Sequence, residues 1–102
     1  MSLDGSLMSP APSEFDGAKV IATAVVEEGA RPTGGTTHSG PDGVIPPASA
    51  LAIVTGEAGV YLLYCDEQWQ VLADTWHSSV RNAKAQAEFE YDGISKLWKN
   101  PV

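Results

Sequence analysis

Cys65 and His77 come closest in this chain to a nucleophile and its base, a thiol activated by an imidazole within hydrogen-bond reach. Their surroundings place them on the two strands of one hairpin. A two- or four-residue turn centred on Glu67-Gln68 sets Cys65 opposite Gln70, with His77 seven residues further along. At about 3.3 Å per residue this separates the pair by roughly 23 Å. A free cysteine in an apolar strand is ordinarily a small core residue. No catalytic residue is therefore assigned.

Metal chemistry would have to draw on His38, His77, Cys65 and the carboxylates, with no close-spaced Cys or His pair among them. No metal is expected. The run Gly34-Gly35-Thr36-Thr37-His38-Ser39-Gly40 suggests a phosphate cradle but lacks the Gly-Lys-Ser/Thr ending and the helix that should follow. Arg31 is the one cation nearby, and no cofactor is expected.

The remaining constraints come from size and charge. At 102 residues the chain suits one domain with a modest core. Thirteen acidic against six basic residues give a formal charge of -7, which argues against nucleic acid and fits partners that, if charged, are basic. A single cysteine allows no internal disulfide and fits a reducing cytoplasm. No charged-then-apolar leader is present, and no apolar run approaches about 18 residues. Neither secretion nor membrane insertion is expected.

The elements follow from pattern. Residues 1–17, with Pro10, Pro12 and several serines, read as a disordered leader, of which Met1-Ser2-Leu3 could be an expression scar. The domain then spans 18–102. Lys19 to Val26 is a strand, with Val20, Ala22, Ala24 and Val26 facing one way. Residues 29–47 form a long Gly/Pro-rich loop. Ala50 to Thr55 is the next strand, and Gly56-Glu57-Ala58-Gly59 turns it so that Thr55 meets Val60 and Ile53 meets Leu62. Val60–Cys65 and Trp69–Trp76 form the hairpin, with Tyr61, Leu63, Cys65, Leu72 and Trp76 on one face and Leu62, Tyr64, Trp69, Val71 and Ala73 on the other. A three-residue turn would instead shift the register by one residue and exchange part of those lists.

A helix begins after His77, capped by Ser78 or Ser79. Val80, Ala83, Ala87, Tyr91, Ile94 and Trp98 fall in a stripe roughly 80° wide, and Asp92-Gly93 marks the stop. The expected fold is α+β: an antiparallel meander of about four strands, followed by one C-terminal amphipathic helix on one face. Both faces of that sheet come out apolar, yet one helix covers only one. The leader and long loop must fold over the other, or two subunits must pack sheet to sheet; a homodimer is the preferred expectation.

Surface candidates remain. Arg81 and Lys84 stand at the positive end of the helix, while Glu88, Glu90 and Asp92 stand at its negative end, against the dipole. Phe89 projects opposite the buried stripe among those acids, as a protein-binding spot would. Trp76 and His77 close the Asp74-Thr75-Trp76-His77 run at the end of the last strand, a second aromatic contact candidate.

Tyr64-Cys65-Asp66, Trp69, Asp74-Thr75-Trp76-His77, Ala87-Glu88-Phe89-Glu90-Tyr91 and Gly93 together resemble small uncharacterised bacterial proteins with a Tyr-Cys-Asp … Asp-Thr-Trp-His … Phe-Glu-Tyr-x-Gly pattern. The resemblance covers Tyr61 to Trp98. It implies a bacterial cytoplasmic protein and carries over no activity or catalytic residue.

The functional expectation is a non-enzymatic acidic module that binds a protein partner, of the kind an immunity or inhibitor protein would be. The alternative is a small ligand-binding protein or enzyme that uses loop 29–47 as a lid. That alternative requires a deep pocket between loop and sheet, with His38 or Arg31 pointing in.

Overall fold

The computed structural model describes residues 9–35, 38–40 and 43–100. In chain order the strands are β1 (Glu14–Phe15), β2 (Ala18–Val25), β3 (Arg31–Pro32), β4 (Ser39–Gly40), β5 (Gly43–Val44), β6 (Ala50–Gly56), β7 (Gly59–Cys65) and β8 (Val71–His77). Helix α1 (Val80–Glu90) and the short β9 (Tyr91–Asp92) follow. The fold is α+β, with an antiparallel sheet of five strands in the order β1-β2-β6-β7-β8 rather than about four. The fifth strand is β1. Asp16 and Gly17, with φ of 49° and 85°, form a tight two-residue turn that folds β1 back onto β2.

The β6–β7 hairpin has the expected register, with Thr55 opposite Val60 and Ile53 opposite Leu62. The β7–β8 hairpin does not. Cys65 pairs with Val71 and Tyr61 with Trp76, because the connection is longer than a two- or four-residue turn. Asp66 organises it: its carboxylate accepts the backbone N–H groups of Gln68 and Gln70 at 2.8 and 2.9 Å. Trp69 takes a positive φ of 62° there. A register shift between Tyr64 and Cys65 then moves Trp69 and Val71 to the face of Leu63 and Cys65, away from Leu62 and Tyr64. A second shift, between Val20 and Ala22, breaks the expected alternation of β2, so Val20 faces away from Ala24 and Val26.

One face of the sheet takes the helix. Ser79 caps α1 by accepting the Asn82 N–H at 3.0 Å, and Ala83 and Ala87 are fully buried against Leu51, Ile53, Leu62 and Tyr64. Two alanines let the helix backbone approach the sheet closely. The helix stops at Glu90, two residues before the expected Asp92-Gly93, and Tyr91 and Ile94 fill the same core from the following turn. Gly93, at φ 94°, faces the Gly29 carbonyl, which a Cβ would approach to 2.7 Å.

The opposite face is covered by the same chain. Val20, Ala50, Ala52, Leu63 and Cys65 are buried there under Trp69, with Phe15 and Tyr61 packed beside them. The segment after residue 8 runs across this side: Trp69 Nε1 donates to the Ser9 carbonyl at 2.7 Å, and Ser9 N–H donates to Glu67 at 2.9 Å. Residues 9–17 thus dock rather than extend as a free leader, while residues 1–8 lie outside the described residues. Among the described residues much of the apolar face that favoured sheet-to-sheet dimerisation is therefore covered, with Val71 and Trp76 left exposed on it, which weakens the argument for dimerisation. Among the described residues no helix is long and apolar enough to cross a membrane.

Candidate functional site

Loop 29–47 settles at the C-terminal end of α1. Its β3 pairs with β9, Arg31 opposite Asp92 and Pro32 opposite Tyr91. Thr33 donates its N–H to the Glu90 carbonyl at 2.8 Å and its hydroxyl to the Phe89 carbonyl at 2.7 Å, satisfying carbonyls that a helix end leaves free. Further on, the Tyr91 hydroxyl accepts the Ala48 N–H at 2.8 Å. Burial raises the pKa of Tyr91, offset in part by that bond.

Glu90 lies at the centre of this clasp, 4% exposed. Its Oε1 accepts from His38 Nε2 at 2.9 Å. Its Oε2 accepts from the Tyr64 hydroxyl on β7 and from Gln86 Nε2, the latter at 2.8 Å. The His38 ring stacks on Tyr64 with centroids 4.3 Å apart. Burial, followed by the Glu90 hydrogen bond, drives the Tyr64 pKa far up, so the hydroxyl stays a donor. On its other side the Tyr64 oxygen lies 3.4 Å from Thr75 Oγ1, and Thr75 Oγ1 lies 2.8 Å from His77 Nε2. A buried carboxylate with three donors is satisfied. It fastens loop, helix and sheet to one another, and it has no free oxygen directed at a substrate.

An open cleft of about 200 Å³ lies beside the clasp, between Pro32, His38, Val44, Ile45, Pro46, Pro47 and Glu90. His38 borders it, while Arg31 is exposed. The cleft is small and largely apolar in its walls, and it lies between the loop and the C-terminal end of α1, not between loop and sheet where the lid alternative places its deep pocket.

The surface candidates separate. Glu90, counted from sequence among the exposed acids, is buried. Glu88 accepts the N–H groups of Gly93 and Ser95 at 3.0 and 2.9 Å, and those bonds hold its pKa below the usual carboxylate range. Its place against the helix dipole thus serves the turn that follows. Asp92 is exposed, as is Phe89 at 58%, though the Phe89 ring rests on Gly35. Trp76 is 55% exposed on the sheet face opposite the helix, with Nε1 donating to the Ala58 carbonyl at 2.7 Å. His77 lies half-buried on the helix side, beside Thr75. Phe89 and Trp76 therefore occupy different sides of the molecule.

Cys65 and His77 stay apart. His77 is opposite Val60, five residues from Cys65 on β7 and on the other face. Burial pushes the Cys65 thiol up to about 12. Among the described residues no three His, Cys, Asp or Glu side chains gather to hold a metal ion.

The feature that residue-by-residue reading missed is the edge. Among the described residues β8 has no strand on its outer side. The opposite edge, β2, is closed by β1 over its first residues and by Lys99, which exchanges backbone hydrogen bonds with Thr23 at 2.9 and 2.7 Å. Scans of the chain against protein-family models, curated proteins and solved structures find no match.

Proposed function

We propose that this protein is a non-enzymatic interaction module, and that the outer edge of β8 is its contact surface. One observation carries this: among the described residues, the long sheet edge left open by the fold holds two of the four large apolar side chains exposed to solvent, Val71 and Trp76. Exposed edges with unspent backbone donors and acceptors bind other strands, and aromatic anchors contribute heavily to such contacts. A charge of -7 suits a basic partner, as an immunity or inhibitor protein that masks a basic site would have. The resemblance to small bacterial proteins leaves that biological role open.

The test is affinity capture from the native host with the wild-type chain and with Trp76→Ala, followed by reconstitution with the purified partner. Loss of that partner with Trp76→Ala, and its retention with Phe89→Ala, is the expected result. A partner held equally by Trp76→Ala and lost with Phe89→Ala moves the contact to the helix end and overturns the assignment.

A second reading has one observation behind it, the cleft bordered by His38. A ligand there would displace or tighten loop 29–47, and a small-molecule thermal-shift screen reads that directly. Ligands whose stabilisation disappears with His38→Ala would favour it.

A further inference from the structure

The interaction-module reading leaves the chemistry of the partner open, and the surroundings of β8 narrow it. Alternation puts Asp74 and Trp76 on the sheet face opposite the helix, and the register shift between Tyr64 and Cys65 puts Val71 there too. These are the exposed residues of the strand, while Leu72, Ala73, Thr75 and His77 are only half-exposed. Beside that strip lies a groove of about 310 Å³. Tyr61, Leu63, Val54, Phe15 and Val71 form its apolar lining, and the carboxylates of Asp74 and Asp16 belong to the same groove.

A second copy of this chain is a poor occupant. Asp74 is the middle residue of Val71–His77, so the symmetric antiparallel register that overlaps two β8 edges along their whole length sets Asp74 directly against the other copy's Asp74. Like charges directly opposite destabilise a strand pair, and each copy brings a charge of -7. A chain with cationic side chains reverses both terms. Lysine and arginine also match the groove, because an aliphatic stem can lie along apolar walls while the charged head reaches a carboxylate.

We propose that β8 receives an extended basic segment of a protein partner as a sixth strand, with a lysine or arginine side chain laid in the groove toward Asp74 and Asp16. This rests on the interaction-module reading and adds the partner's conformation and charge. Backbone hydrogen bonds along the edge give affinity to any strand; Asp74 selects the basic one.

The probe is a nine-residue alternating Lys/Val peptide, with its Glu/Val counterpart and an N-methylated Lys/Val version that keeps the charges but removes alternate backbone donors. Titration into the full chain is followed by calorimetry and by tryptophan fluorescence. The Lys/Val peptide is expected to bind, and the other two to fail. Asp74→Asn should weaken binding about tenfold or more, against little change for Glu27→Gln, a remote charge control. Absence of Lys/Val binding, equal binding of the N-methylated peptide, or equal effects of Asp74→Asn and Glu27→Gln each overturn the proposal. So does a wild-type dimer by sedimentation that the peptide does not dissociate. The broader reading is judged separately: a host partner lost with Trp76→Ala but unaffected by Asp74→Asn preserves it and rejects only the basic strand.

Discussion

The Tyr64 hydroxyl donates to the Glu90 carboxylate across the interface between sheet and helix, and both residues are almost fully buried. That bond joins the second half of the chain to itself, and His38 adds the long loop to the same carboxylate. Removing the acceptor leaves three donors stranded, whereas removing one donor leaves the carboxylate two others. Glu90→Ala should therefore destabilise by about 3–5 kcal/mol and Tyr64→Phe by about 1.5–3 kcal/mol, measured by urea denaturation. A double-mutant cycle should return a coupling above about 0.5 kcal/mol; additive effects would show that the pair does not act as a unit.

Glu88 gives stability a dependence on acid. Its folded-state pKa is depressed by the Gly93 and Ser95 N–H groups, so its contribution is present above the unfolded value of about 4.3 and is lost as pH falls through the folded one. Glu88→Gln should cost no more than about 1 kcal/mol at neutral pH, because the carboxylate is part-exposed and screened. The gap between wild type and variant should close on acidification below about pH 4. A gap that stays constant from pH 7 to pH 3 would show that the carboxylate charge plays no part.

Cys65 should be silent to thiol reagents in the native state. With its pKa pushed up to about 12 and its side chain buried, an aromatic disulfide reagent at mildly alkaline pH should react only as fast as the protein unfolds. A raised folded pKa contributes stability below the unfolded value of about 8.5 and loses it as pH rises toward the folded one. Wild type should therefore lose stability relative to Cys65→Ala in mildly alkaline solution. Rapid stoichiometric labelling of folded protein would contradict the burial.

Much of the sheet was legible because its signals are local. The Gly56–Gly59 turn fixes β6 against β7, and the β-branched and aromatic runs mark the strands. The errors arose where one residue redirects the backbone. Asp66 lengthens a turn by capturing two N–H groups, and the shift before Ala22 reverses one strand's alternation. The Asp16-Gly17 turn was written in the sequence as a strong hairpin signal, hidden by the polar residues before it. Glu90 also carried a signal. It lies three residues beyond Ala87 and seven beyond Ala83, on the buried stripe of the helix, and only its charge suggested the surface. His38 had none: a histidine in a Gly/Thr loop becomes legible only once the loop's destination is known. The open edge is a property of strand order, which depends on pairings far apart in sequence.

The two edges of the sheet differ in a way that limits stoichiometry. Among the described residues, β2 is covered by β1 and Lys99 while β8 is open, so the long edge is available on one side. Among those residues, a strand accepted at β8 would find only the two-residue β1 and the Lys99 bridge on the far side, not a second long open edge from which the sheet could grow again. If a partner strand docks at β8 as proposed, the described edges therefore favour a single addition, a one-to-one complex instead of a filament.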